Sequence, residues 1–471
     1  MTSEQQRVVV IGGGLAGLRL AARLGGDVRV LGEEAHAPYN RVLLAEVLAG
    51  RYAPEVTALP APGPALRRGV RAVRIDRAEQ VVHCDDGTVE PYGTLVLATG
   101  SNPVLPPLRG LFEPEGHDLP AGVHAFRTMD DCLALSDAVR PGVRAVVIGG
   151  GLLGVSAARA LAERGAQVVL AQQGERLMER QLDAEASELL RTHLADLGVE
   201  IHTECRVRGL STAPAATQPH AVGGLGEDPV PPAFEERDRA EPATPRRVAA
   251  PEATPAPAPA RAPGRRPGTG PAQGHRQVTG VELADGYRLD ADIVVLACGV
   301  RPRTGLALAA GLDVGKGILV DDKLRTSDPR IHAIGDCAEH TGRVYGLAGP
   351  ALEQAEVLAD VLLGTGEGIP AGAASGYTGT RALTRLTLTA GGDRPLDLAA
   401  FGETTPLPGD DVVRLTDATR RTYRKVVVRG DRLVGGVLLG ELSSVGALAR
   451  SWEDGEALTD LHHLLTDDGG S

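Results

Sequence analysis

Two short glycine runs carry the chemistry this sequence offers. Gly12-Gly13-Gly14-Leu15-Ala16-Gly17 follows the run Arg7-Val8-Val9-Val10-Ile11, and Gly149-Gly150-Gly151-Leu152-Leu153-Gly154 follows Val146-Val147-Ile148. Both have the spacing G-x-G-x-x-G between a strand-like run and a helix-like one. In each, the first glycine (Gly12, Gly149) permits a tight turn out of the strand. The second (Gly14, Gly151) lets the backbone approach a pyrophosphate, and the third (Gly17, Gly154) lets helix and strand pack closely. The helix that follows, opening at Leu15-Ala16 or Leu152-Leu153, aims its free N–H groups and the positive end of its dipole at the phosphates. Two such units predict two dinucleotide sites.

The residues around the motifs differ. A carboxylate is needed about 20 residues on to meet ribose hydroxyls. Glu33 and Glu34 supply it in the first unit. In the second unit Val168-Val169-Leu170 runs into Ala171-Gln172-Gln173, with no acid. That removes the usual preference against a 2′-phosphate. Arg176 and Arg180 are near enough in sequence to meet one, or are surface charges; the choice stays open. Two more apolar runs end in a small residue and glycine: Leu95-Val96-Leu97-Ala98-Thr99-Gly100 and Val294-Val295-Leu296-Ala297-Cys298-Gly299. Each reads as a crossover between two domains. Ile331–Ile334 then ends in Gly335-Asp336-Cys337, and an aspartate there can hydrogen-bond a polyol. Five cysteines, at 84, 132, 205, 298 and 337, form no CxxC or CxxxxC pair. Spacing therefore argues against a disulfide framework, a zinc site or an iron–sulfur site.

The elements that position these residues are legible as strand–glycine turn–helix–strand at 7–31 and again at 143–170, an α/β pattern with parallel sheets. With 471 residues, two or three domains are expected. The net charge of −12 argues against nucleic acid and anionic membranes. No apolar run reaches membrane-spanning length. The first strand begins too early to leave room for a signal segment, so a cytoplasmic location is expected. Between 211 and 276 periodicity collapses and fourteen of the 33 prolines accumulate. This stretch reads as a disordered insertion within one domain. After about residue 370, strands are predicted at Thr384–Thr389, Leu398–Phe401, Val412–Leu415, Thr422–Val428 and Leu433–Leu439. Gly430-Asp431 is a hairpin turn, and a helix is expected from Val445 to about Trp452.

This ordered set resembles the two-dinucleotide-binding flavoprotein superfamily of pyridine-nucleotide oxidoreductases. The resemblance implies two Rossmann-like domains, one for FAD and one for NAD(P)H, and a small C-terminal α+β domain. It divides the chain into an FAD-binding domain (1–115 and 297–368), an NAD(P)-binding domain (116–296, holding the insertion) and a C-terminal domain (369–471). It assigns Gly12, Gly14, Leu15, Ala16, Gly17, Glu33, Arg41, Ala98, Thr99, Gly100, Gly335 and Asp336 to FAD. Here Glu33 falls at the adenosine ribose and Asp336 at the ribityl chain. Gly149, Gly151, Leu152, Leu153, Gly154, Gln172, Arg176 and Gly299 go to NAD(P)H.

Pro38-Tyr39-Asn40-Arg41-Val42-Leu43-Leu44, Gln181-Leu182-Asp183, Gly299-Val300-Arg301-Pro302, Arg343–Leu347 and Gly440–Ser444 are similar to the flavoprotein part of the NAD(P)H nitrite reductase large subunit. The implied function is hydride transfer from NAD(P)H to FAD, then electron transfer to a separate acceptor. That acceptor is a siroheme nitrite reductase subunit or a ferredoxin-like protein, because the cysteine clusters of those enzymes are missing here. Alternatives are a ferredoxin or rubredoxin reductase, an NAD(P)H oxidase, or a slow redox-sensing flavoprotein. A homodimer would form through the C-terminal domain. Related reductases pair a lysine after the Tyr-x-Arg segment with a glutamate after the second glycine motif. Glu46 and Ser156 stand at those positions, so that pair cannot form.

Overall fold

The structure, a computed structural model, describes residues 7–60, 63–113, 116, 118–214, 276–364, 376–388, 396–417, 419–455 and 457. The apolar run at 8–11 forms the central strand of a five-stranded parallel sheet. Its order is Ile331–Ala333, Thr94–Leu97, Val8–Ile11, Val28–Gly32, Leu66–Arg68. Such a strand is apolar throughout because it is covered on both faces. Val10 faces helices α1 (Leu15–Leu24) and, late in the chain, Ala348–Leu363. Val9 and Ile11 face an antiparallel three-stranded meander, Ala72–Asp76, Val81–Cys84 and Val89–Pro91, together with the short helix Gly305–Ala309. A short helix α2 (Leu44–Leu48) leaves this half and packs on the next.

The second half repeats the plan. Its parallel sheet runs Val199–His202, Gln167–Ala171, Arg144–Ile148, Ile293–Leu296, Val123–Ala125. Val147, Leu170 and Val295 face α3 (Met129–Ala138), α4 (Leu152–Glu163) and α5 (Ala184–Asp196). Val146, Ile148 and Leu296 face a second antiparallel meander, Val207–Pro214, Arg276–Leu283 and Arg288–Asp290. This corrects the edges of the expected insertion. Ser211–Pro214 and Arg276 are paired strand, with Pro214 opposite Arg276. The strand expected at Val278–Leu283 is present, starting at Arg276, and Leu210, Val278 and Val281 carry the buried apolar face of this meander. The rest of the insertion lies outside the described residues.

Two antiparallel crossover strands, Ser101–Pro103 and Val300–Pro302, tie the halves together. The C-terminal part is a five-stranded antiparallel sheet ordered Leu383–Leu388, Leu396–Gly402, Arg432–Leu439, Thr422–Arg429, Asp411–Asp417. Each expected strand is present, two residues or fewer from its expected start. Gly430 takes φ +64 at the two-residue hairpin where Arg429 pairs with Arg432. One face of this sheet joins the core of α4 and α5 through Leu388, Leu398, Tyr423 and Leu439. The other buries Phe401, Val426 and Leu438 under the last helix, Val445–Asp454, with Leu448 and Trp452. No helix among the described residues is long and apolar enough to cross a membrane.

Candidate functional site

Both glycine turns have the same geometry. Gly12 and Gly149 adopt φ +126 and +111, which only glycine takes freely. A Cβ on Gly12 would run into the Ala98 carbonyl, and one on Gly149 would lie 2.5 Å from the Ala297 carbonyl oxygen. A Cβ on Gly17 or Gly154 would strike the Gly12 or Gly149 carbonyl oxygen, so each helix sits directly on its own turn. Gly14 and Gly151 differ: no atom lies within 4 Å of where their Cβ would stand. They cap α1 and α4 with extended backbone, leaving the N–H groups of Leu15-Ala16 and Leu152-Leu153 free at the helix starts. This is the shape and polarity that a pyrophosphate requires.

Around the first turn the polar residues converge. Gly335 (φ +76) packs its backbone on the Ala16 methyl, a Cβ there being 3.2 Å away, and donates its N–H to the Gln354 side-chain oxygen at 2.7 Å. Asp336 accepts from Ser101 Oγ at 2.8 Å and from Arg127 Nη2 at 2.7 Å. Arg127 escaped the sequence reading. It stands just ahead of α3, whose start is fixed by a capping box: the Thr128 hydroxyl accepts from Asp131 N at 3.1 Å. The Asp131 carboxylate accepts from Arg127 N and Thr128 N at 3.1 and 2.8 Å. Arg-Thr-x-x-Asp was a usable signal for that cap. Arg127 Nε, on the guanidinium whose Nη2 reaches Asp336, is buried with no hydrogen-bond partner. Such a group is rarely left unsatisfied in a finished site.

Glu33 and Glu34, adjacent in sequence, diverge. Glu33 is paired with Arg303 at 2.8 Å, both side chains about 40% exposed and so within reach of a ligand. Glu34 is tied to Arg41 and accepts from the Tyr39 hydroxyl at 2.7 Å. Arg41 also donates to the Tyr39 oxygen and the Arg127 carbonyl, both at 3.0 Å. Arg41 thus reaches the backbone of Arg127, whose side chain holds Asp336. Burial drives the Tyr39 phenol well above its ordinary range, so it stays protonated. Ala98-Thr99-Gly100 bends away from its strand with Gly100 at φ +71. The Thr99 hydroxyl donates to the Arg303 carbonyl, and Arg303 N to the Gly100 carbonyl, each at 2.9 Å. The matching Gly299 has φ +95.

Around the second turn, Gln172 takes the acid's position and folds inward. Its side-chain oxygen accepts from Gly150 N at 2.8 Å. Arg176 is partly exposed, 3.6 Å from the Glu175 carboxylate.

The lysine–glutamate pair of related reductases has no counterpart at Glu46 and Ser156, and the place is not neutral. Ser156 turns back to donate to the Leu152 carbonyl at 2.8 Å. Glu46 on α2 pairs instead with Arg159 on α4, one turn beyond Ser156. Arg159 is fully buried and also reaches Glu163 at 3.2 Å, while Arg51 joins Glu46 at 3.0 Å and Glu163 at 2.5 Å. The sequence reading thus missed a pair of inverted sign between the helices of the two halves.

The thiols are quiet. Burial raises all five cysteines, Cys132 to about 12. Cys337 is wholly buried and donates to the Leu97 and Ile334 carbonyls at 3.3 Å. A thiolate is the reactive form, and burial disfavours it at each of them. Among the described residues no cluster of His, Cys, Asp or Glu could hold a metal ion.

A family model described as "Pyridine nucleotide-disulphide oxidoreductase" matches residues 6–222 and 267–355, and the "Rubredoxin NAD+ reductase C-terminal domain" matches 395–455. The nitrite reductase [NAD(P)H] of Bacillus subtilis is 29% identical over 93% of this chain, which spans 46% of that relative's length. A probable ferredoxin reductase of Castellaniella defragrans is 30% identical over 77% of this chain and 76% of its own. Among solved structures, the ferredoxin reductase for the CYP199A2 system from Rhodopseudomonas palustris superposes with a TM-score of 0.71 at 23% identity, covering 97% of this chain and 98% of that one.

Proposed function

The chain belongs to the pyridine nucleotide-disulphide oxidoreductase family, and on that premise we propose that it carries electrons from NAD(P)H through FAD to a separate acceptor protein. The observation that carries this reading is the pair of equivalent glycine turns, one backed by Asp336 and the orphaned Arg127 donor. When bound, FAD supplies the hydride-accepting and electron-releasing chemistry. The chain's residues hold and orient. The amides of Gly14, Leu15 and Ala16 receive the FAD pyrophosphate, Glu33 the adenosine ribose and Asp336 the ribityl hydroxyls. Arg127 and Arg41 bring positive charge to the same side, and Ala98-Thr99-Gly100 and Gly335 shape the wall. Gly151, Leu152 and Leu153 receive the second pyrophosphate, with Gly299 opposite. No proton-transfer residue is invoked, because hydride transfer needs none.

Similarity to a nitrite reductase and to a ferredoxin reductase supports a protein acceptor: a siroheme-bearing nitrite reductase subunit or a ferredoxin-like protein. The five cysteines are free and form no CxxC or CxxxxC pair, which supports a path without a disulfide relay. In anaerobic titration, NADH or NADPH should bleach the flavin band, and a siroheme subunit or ferredoxin should restore it faster than dissolved oxygen does. A purified chain without a flavin spectrum, or one bleached by neither nucleotide, would sink this reading.

A further inference from the structure

Glu33 and Glu34 leave the first parallel sheet together and then serve different partners. Glu34 is engaged inside the protein by Arg41 and the Tyr39 hydroxyl. Glu33 has one partner among the described residues, the Arg303 guanidinium, which pairs with its Oε2 at 2.8 Å. With both side chains well exposed, such a pair adds little to stability. Its surroundings, though, are not those of a stray surface contact.

Arg303 is fixed at its base. Its N–H donates to the Gly100 carbonyl, and its own carbonyl accepts from the Thr99 hydroxyl, each at 2.9 Å. It follows directly on the crossover strand Val300–Pro302, which is paired with Ser101–Pro103. The main chain beneath the side chain therefore has no room to swing away. The wall that Arg303 grips lies directly behind the first glycine turn, where a Cβ on Gly12 would run into the Ala98 carbonyl. Glu33 starts from the other flank. The residue before it, Gly32, packs on the same turn, and a Cβ there would stand 3.8 Å from the Gly13 Cα. The pair of Arg303 with Glu33 thus closes a collar of contacts around Gly12-Gly13. The collar runs through Ala98–Gly100 on one side and Gly32 on the other.

A lone glutamate at that rim would sample its rotamers and lose that freedom when a ligand binds. Its charge would also stand near the place of an anionic pyrophosphate. Arg303 reduces both costs, because it holds the carboxylate in place and offsets its charge. It engages one oxygen only. Oε1 keeps its acceptor sites, and ribose hydroxyls can donate to them. We propose that Arg303 is a positioning residue for FAD, pre-orienting Glu33 toward the adenosine ribose and so slowing release of the dinucleotide. The proposal rests on the reading of Glu33 as the ribose acid of the first site.

Release of FAD from the loaded full chain, followed as flavin fluorescence recovered after dilution, tests this without turnover. Arg303→Met keeps the stem and removes the charge; it should speed release about fivefold, and Glu33→Ala at least as much. The double variant should release FAD no faster than Glu33→Ala alone, since Arg303 then has no carboxylate to orient. Arg303→Lys, which keeps a charge without the fork, should fall between the parent and Arg303→Met. The flavin-free forms of the parent and of Arg303→Met should melt alike, as expected of an exposed pair. Unchanged release in Arg303→Met overturns the proposal. So does an equal acceleration by Arg303→Met with and without Glu33, or a lowered melting temperature of its flavin-free form. Either would make the residue a prop for the wall at 98–100. Unchanged release in Glu33→Ala overturns the ribose reading beneath the proposal, a result distinct from the others.

Discussion

Gly17 and Gly154 are constrained by the carbonyl oxygens beneath them, not by a ligand. The two sites can therefore be damaged separately. Gly154→Ala forces α4 off its turn, where Cβ and the Gly149 oxygen cannot coexist. Flavin absorbance at the normal ratio is expected to survive. The nucleotide concentration needed for half-maximal bleaching should rise by about two orders of magnitude or more, from misplacement of the phosphate cradle. Loss of the flavin itself would show that the sites are not independent. At this scale the glycines were legible because their constraint is local: a turn, a positive φ and a close approach fall within six residues. Arg127 was not. Its meeting with Asp336 spans 209 residues of sequence, and only the fold brings them together. Glu46 was legible as a departure, but its partner was not, because Arg159 lies 113 residues away.

Elements joined far apart in sequence also decide how the C-terminal sheet sits. Asp183 caps α5 by accepting from Ala186 N at 3.1 Å, and it receives Lys425 Nζ and the Tyr423 hydroxyl at 2.7 Å each. Lys425 is 3% exposed and donates to the Thr404 carbonyl as well. Burial pushes the Asp183 carboxyl upward, but the hydrogen bonds from Lys425, Tyr423 and Ala186 outweigh it, and its pKa falls below the usual value. A depressed folded pKa adds stability that is present above the unfolded pKa, near 4, and is lost as pH falls through the folded one. The docking of this sheet on α4 and α5 is therefore expected to hold at neutral pH and loosen below about pH 4. Asp183→Asn should cost about 1.5–3 kcal/mol, read as a lowered melting temperature at pH 7. Its gap from the parent chain should close on acidification; a gap that stays constant with pH would show that the tie carries no titrating charge. The sheet's strands were legible from alternation and turn residues. The tie was not, because a strand lysine reads as solvent-facing until its partner is known.

Over the whole molecule, two halves share one plan: a parallel sheet, helices on one face and an antiparallel meander on the other. The α/β class and both glycine units follow from runs of branched apolar residues. Of the meanders only the strand at Val278–Leu283 was legible, because strands such as Val89–Pro91 are too short to show a period. The pairing of Pro214 with Arg276 places both ends of the intervening stretch on adjacent strands. Replacing 215–275 by a short turn is expected to leave flavin reduction by NAD(P)H within about twofold of the parent, checked by stopped-flow absorbance. A larger loss would give that stretch a role in the reductive step. The Glu46–Arg159 contact has a consequence of another kind, in how sequences of this fold can diverge. Putting lysine at 46 while Arg159 remains sets two cations together beside a fully buried guanidinium, and putting glutamate at 159 alone sets Glu46 and Glu163 against a third acid. Either step alone is harmful and the two together are tolerable, so the sign of each substitution depends on the other. Reversing the polarity of this contact therefore takes two matched substitutions, at 46 and at 159, with a destabilised chain between them.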